Sequence, residues 1–122
     1  MNLIGALAVF FGGGVGSLLR YGVSHLLKGF SAQALPYATL TSNIISTALL
    51  GWIIYKVSPA TNQTLYLFLA IGLCGGFSTF STFSLETFQL LKNGQIVWAI
   101  ANVAVSIVAC ITILFLISKS LK

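Results

Sequence analysis

Residues 72–84 read Gly-Leu-Cys-Gly-Gly-Phe-Ser-Thr-Phe-Ser-Thr-Phe-Ser, and this stretch decides how the chain is read. It lies in a long apolar segment with the length of a membrane-crossing helix. Three glycines, Gly72, Gly75 and Gly76, fall within five residues, and Ser-Thr-Phe then repeats at 78–80 and 81–83. A purely lipophilic anchor needs neither feature. Glycines loosen a helix and let backbone approach a ligand. Hydroxyls and ring edges add hydrogen-bond donors and weakly positive rims. The segment reads as a helix interrupted in mid-bilayer, where something small and polar is handled.

The surrounding composition places the whole chain in a membrane. Of 122 residues, 57% are hydrophobic and 6% charged, with a mean hydropathy of +1.02. A soluble domain carries about 25% charged residues. Four helical crossings at about 20 residues each would use about 80 residues. What remains suffices for short loops, so residues 1–122 read as one four-helix transmembrane domain with no soluble domain beside it. The N-terminal segment lacks a basic n-region and a small-residue cleavage site, so the first helix is expected to be retained.

Six Lys/Arg against one acidic residue give a formal net charge of +5. The basic residues are isolated, which argues against nucleic-acid binding. They suit interfacial anchoring beside lipid headgroups, and their summed field favours an anion over a cation. Cys74 and Cys110 lie in apolar segments without CxxC spacing or a nearby His, so they read as small packing residues.

The four expected helices run from about Leu3 to Leu27, Pro36 to Tyr55, Leu65 to Leu91 and Ile96 to Ser118. Pro36 suits a first turn, where its missing N–H does no harm. Gly29, Ser31, Pro59, Asn62 and Asn93-Gly94 mark the three short connections. Gly12-Gly13-Gly14 and Gly16 invite close approach of a neighbouring helix. Lys56, Lys119 and Lys122 fall on one side of the membrane, and Lys28, Lys92 and Arg20 on the other. Three against three gives no orientation bias under the positive-inside rule, so the chain is expected to insert both ways and pair as an antiparallel homodimer.

Several residues carry chemistry. Asn43 sits mid-helix, with Thr39, Ser46 and Thr47 sharing its face. A buried amide in lipid needs a partner; either it makes an interhelical hydrogen bond or its NH2 faces an anion in a pore. Phe80 and Phe83, three apart, share a helical face with Phe77 one turn earlier. They either pack or turn positive ring edges toward an anion. Ser78, Ser81 and Ser84 form one hydroxyl row and Thr79 and Thr82 another; such hydroxyls also bond back to helix carbonyls. A break at Gly75, Gly76 and Ser78 would free carbonyls, and a bound cation such as Na+ satisfies these well at a half-helix C-terminus. Across a two-fold axis, two residues per chain would supply four carbonyls. Arg20, the only arginine, either snorkels to the interface or attracts anions in a vestibule. Glu86, the only acid, pairs with a hydroxyl or a Lys near its helix end. Ser106, one turn past Asn102, could continue a polar track. No nucleophile–base pair, paired carboxylate or phosphate loop is visible, so the chain does not read as an enzyme.

Over essentially its whole length the chain resembles the Fluc-type fluoride channels of the CrcB family. The resemblance rests on Gly12-Gly13-Gly14-Val15-Gly16 followed by Arg20, on Thr39-Leu40 followed by Asn43, and on residues 75–84 followed by Glu86. It implies an all-α membrane protein of four transmembrane helices with a break in the third, forming an antiparallel dual-topology dimer in the prokaryotic plasma (inner) membrane. It implies two fluoride pores, with ring edges from Phe80 and Phe83, the amide of Asn43, hydroxyls of Ser81 and Thr82, and Arg20 near the pore mouth. It implies a structural Na+ held at the dimer centre by the carbonyls of Gly75 and Ser78 from both chains, and a role in passive fluoride efflux. The chain departs from the family at Thr47, where glycine is frequent, and at Cys110 and Leu114, where hydroxyls are frequent. Ser106 is then what remains of the fourth helix's polar track. These departures bear on the path at one pore end and on homodimer against heterodimer pairing.

Fluoride is small and strongly hydrated, so a pore for it needs many donors and no carboxylate beside them; Asn43, the hydroxyl rows and the ring edges are expected to serve, with no intramembrane acid near them. The alternative reading is a small four-helix dual-topology multidrug exporter, which needs an embedded carboxylate; the first helix has none. A subunit that only assembles, by small-residue packing, would leave Asn43 and the tandem Ser-Thr-Phe unexplained.

Overall fold

The computed structural model describes residues 1–30 and 35–121. The turn signal at Ser31 and the charge of Lys122 lie outside the described residues. Four helices are long and apolar enough to cross a membrane: Leu3–Leu26, Tyr37–Lys56, Gln63–Lys92 and Ile96–Ser120, termed here the first to fourth spans. Their ends differ from the sequence expectation by at most two residues, and local chemistry explains why. Asn2 accepts the Gly5 N–H at 2.8 Å and starts the first span. Asn62 accepts the Leu65 N–H at 2.9 Å and starts the third two residues before the apolar run does.

Apolar and polar residues are distributed as a bilayer demands. Leu18, Ile100 and Phe115 stand 70%, 63% and 65% exposed, whereas Thr39, Ser42, Ser46, Thr79, Asn102 and Ser106 are buried. In lipid there is no gain from hiding leucine, and large cost in exposing hydroxyls and amides, so polar side chains turn inward. The small apolar core, Ile53 with Ala70 and Cys74, lies between the second span and the third.

The first span packs most closely on the upstream part of the third. Glycine makes this contact possible. A Cβ on Gly12 would overlap the Phe68 carbonyl oxygen, and one on Gly16 the Leu73 carbonyl oxygen. Backbone therefore lies on backbone, as the glycine run predicts. The second span packs chiefly on the fourth.

The third span is not one regular helix. It starts as α-helix at Gln63–Tyr66, widens to π-helical turns over Leu67–Cys74, and closes with Gly75–Phe77. Ser78 (φ −77°, ψ 159°) and Thr79 (φ −153°, ψ 118°) are extended. The helix resumes at Phe80–Lys92. The expected break exists, but Gly75 stays helical (φ −63°, ψ −38°) and the chain opens at the two hydroxyl residues after Phe77. One expectation is corrected as a result. Phe77 does not share a face with Phe80 and Phe83, because the extended dipeptide separates them and Phe77 is buried, 3% exposed.

Candidate functional site

The break is built from its own Ser78 and Thr79 side chains and from side chains of the first and second spans that meet its loose backbone groups. At the end of the upstream half, the Cys74 carbonyl accepts three hydrogen bonds: from the Ser78 N–H at 3.0 Å, the Ser78 hydroxyl at 2.9 Å and the Ser46 hydroxyl at 2.8 Å. The Gly76 carbonyl accepts from Arg20 Nε at 3.1 Å. At the extended residue, the Thr79 N–H donates to Asn43 Oδ1 at 2.8 Å, and Asn43 Nδ2 donates back to the Thr79 carbonyl at 3.3 Å. Thr79 also caps the downstream half: its Oγ1 accepts the Thr82 N–H at 3.2 Å and donates to Thr82 Oγ1 at 3.1 Å. Ser81 Oγ lies 3.4 Å from the same hydroxyl.

These bonds redirect the helical ladder. In an unbroken helix the Thr79 N–H would return to the Gly75 carbonyl and the Thr82 N–H to the Ser78 carbonyl. Both donors instead go to side chains, which releases Gly75 and Ser78 as acceptors while the Cys74, Gly76 and Thr79 carbonyls are occupied.

The first turn of the downstream half carries the aromatic pair. The Phe80 and Phe83 rings lie 5.8 Å apart at 39°. Phe83 is half-buried, and Phe80 stands 79% exposed on the surface of the chain. The Ser84 hydroxyl bonds back to the Phe80 carbonyl at 2.9 Å, as expected of helix hydroxyls.

Toward the Lys28 and Asn93 ends of the spans opens a cavity of about 1100 Å³, with Thr39, Thr82, Glu86 and Gln89 in its lining. Thr39 Oγ1 donates to Glu86 Oε1 at 2.7 Å, so the acid takes the hydroxyl partner of its two expected ones. Glu86 Oε2 is buried with no partner among the described residues. The expectation that no carboxylate lies near the donor rows is therefore corrected: Glu86 follows Thr82 by one helical turn and lines the same cavity. Nearby, Asn102 Nδ2 donates to Thr87 Oγ1 at 2.9 Å, and Thr87 Oγ1 donates to the Phe83 carbonyl at 2.8 Å.

Arg20, Asn43, Gly75 and Ser78 thus meet at the break, and Phe80, Ser81, Thr82 and Phe83 follow directly after it. Arg20 Nε is tied to the Gly76 carbonyl, a partner that neither of its two sequence readings named. Ser106 is buried on the fourth span beside buried Asn102 one turn away, and no hydrogen bond among the described residues links it to the break. Sequence reasoning placed Ser46, Thr79 and Asn102 in polar rows but gave none of them a partner of its own. A signal existed for Thr79, since a Thr three residues before another hydroxyl at a helix start is a cap pattern. Among the described residues no group of three or more His, Cys, Asp or Glu could hold a metal.

Four apolar spans, one of them opened near its middle and its backbone held by an amide, an arginine and hydroxyls, define a small multi-pass membrane protein. Residues 7–117 match the family described as CrcB-like protein, Camphor Resistance (CrcB). A protein of Ruminiclostridium cellulolyticum named "Fluoride-specific ion channel FluC" is 41% identical over 114 residues, covering 91% of this chain and 87% of its own. One of Pyrococcus abyssi with the same name is 39% identical over 122 residues, covering 95% and 94%. One of Citrifermentans bemidjiense, again so named, is 45% identical over 102 residues, covering 82% of each. The chain belongs to the CrcB family of fluoride-specific ion channels. Its relatives are named ion channels, which are not enzymes.

Proposed function

We propose that this chain conducts fluoride passively out of the cell across the prokaryotic plasma membrane, as an antiparallel dual-topology homodimer with two pores and a central structural sodium ion. The observation that carries the reading is the reciprocal Asn43–Thr79 pair, which holds an opened helix directly before the Phe80–Phe83 pair. Asn43 Nδ2 bears two N–H groups, and the Thr79 carbonyl takes one. The other is available to an anion, with the Ser81 and Thr82 hydroxyls nearby and positive ring edges beyond. Such donors replace the hydration shell of a small anion without trapping it.

The dimer reading is supported by the surface position of Phe80. A ring 79% exposed in one chain lines an enclosed conduit only if a second chain covers it. The even spread of Lys and Arg over the two sides fits insertion in both directions.

Sodium suits the break. The carbonyls released at Gly75 and Ser78 are neutral hard oxygens at the end of a half-helix, where the dipole is negative. Two per chain from two chains would hold the ion, and the ion would supply the charge that fixes the opened backbone.

The test is efflux from liposomes loaded with fluoride or chloride. Fluoride should empty much faster, and equal rates for the two anions would reject a fluoride pore. A drug-exporting pump would instead need proton-coupled uptake of a cationic drug and would leave fluoride in place.

A further inference from the structure

We infer that Asn43 and Thr79 couple the anion path to the cation site, by deciding whether the Gly75 and Ser78 carbonyls are free to bind a cation. The inference rests on the sodium reading above and deepens it. Its basis is the fate of two N–H groups. The Thr79 N–H, which a continuous helix would give to Gly75, goes to Asn43 Oδ1 at 2.8 Å. The Thr82 N–H, which would go to Ser78, goes to Thr79 Oγ1 at 3.2 Å.

Asn43 therefore has two ends with two tasks. Oδ1 draws the Thr79 N–H aside, and Nδ2 is steadied by the Thr79 carbonyl at 3.3 Å, which leaves its second N–H in a fixed direction. If Oδ1 is removed, the acceptor that a continued helix offers the Thr79 N–H is the Gly75 carbonyl, and forming that ladder bond would close the break by one step. A closed ladder competes with the cation for that carbonyl. By linkage, a bound cation that holds Gly75 away from Thr79 also holds the Asn43 amide in its anion-facing pose. Asn43 and Thr79 are positioning residues for the cation, which neither side chain touches.

Two matched pairs separate this from a general loss of packing. Asn43→Asp keeps an acceptor for the Thr79 N–H, and Asn43→Leu has none. Thr79→Ser keeps the acceptor for the Thr82 N–H, and Thr79→Val has none. The readout is sodium affinity of the purified protein in detergent, by radioactive sodium dialysis and by the rise in unfolding midpoint on titrating sodium into a large organic cation. Asn43→Leu and Thr79→Val should each bind sodium about tenfold more weakly, the worth of one redirected backbone hydrogen bond. Asn43→Asp and Thr79→Ser should bind at least about as tightly as wild type. Should Asn43→Leu not fold, the Thr79 pair decides alone. Equal sodium affinity in Thr79→Val and wild type would overturn the coupling. A wild-type protein with no sodium affinity would overturn the cation reading and the coupling with it, and would leave the fluoride reading to the efflux assay.

Discussion

Arg20 Nε and the Gly76 carbonyl, 56 residues apart in sequence, are joined by a hydrogen bond of 3.1 Å that ties the first span to the end of the upstream half-helix. A charged donor thus satisfies one of the carbonyls that every helix end leaves without an intrahelical partner. Replacing Arg20 by Met should lower stability by about 1.5–3 kcal/mol, the range for a charge-assisted hydrogen bond. Arg20→Lys should recover part of this. The measurement is the unfolding midpoint of purified protein in detergent, and an Arg20→Met variant melting with wild type would show that the bond contributes nothing.

Backbone contact between the first and third spans predicts a sharp positional pattern among the glycines. Gly12→Leu and Gly16→Leu would overlap the Phe68 and Leu73 carbonyls. Relief requires the two helices to separate, which costs about 1–3 kcal/mol or more at each site. Gly14→Ala and Gly22→Ala meet nothing within 4 Å and should be neutral. Size-exclusion yield of the four variants, side by side, checks the contrast.

Thr39 and Glu86 should behave as a unit. Thr39→Val leaves Glu86 Oε1 without its 2.7 Å donor, at a cost of about 1–3 kcal/mol for a half-buried acceptor. Thr39→Val combined with Glu86→Leu should cost less than the sum of the two single changes, by about 0.5–3 kcal/mol, because the penalty of Thr39→Val vanishes once the acid is gone. Additive melting shifts across that cycle would mean that the two side chains do not depend on each other.

Phe80→Ile should reduce fluoride flux through liposomes while leaving the chain folded. The ring stands 79% exposed, so trimming it removes little of the chain's own core. The expected loss is about tenfold in flux, equivalent to about 1.4 kcal/mol of ion stabilisation. Flux at the wild-type rate in the variant would remove Phe80 from the conduction path.

The sequence disclosed the four spans because apolar runs of about 20 residues have no soluble counterpart. It disclosed the break because glycine and hydroxyl residues are out of place in a lipid-facing helix. Its details were hidden for two reasons. The expected break covered Gly75, Gly76 and Ser78, but Gly75 is helical and the ladder is left at Thr79 and Thr82, whose N–H groups go to Asn43 Oδ1 and Thr79 Oγ1 instead of to the carbonyls four residues before. The first diversion depends on a residue of the second span, which local propensity does not see. Face arithmetic at 3.6 residues per turn also fails across Leu67–Cys74, where the turns are π-helical, and again across the extended pair. The stripe from Phe77 to Phe83 was lost for that reason. Arg20 was read by its charge, whereas geometry gave it a backbone carbonyl of another span; Glu86 took the hydroxyl that was one of its two expected partners.

The two-residue joint at Ser78 and Thr79 has a consequence for how this architecture varies. Neither half-helix needs the other's ladder to be complete, since each end is finished by side chains from elsewhere. The downstream rod can therefore be re-aimed by exchanging one buttress on the second span, without disturbing the glycine-lined seam beneath it. A change in angle at this elbow would turn the Phe80–Phe83 pair while leaving the glycine-lined contact in place.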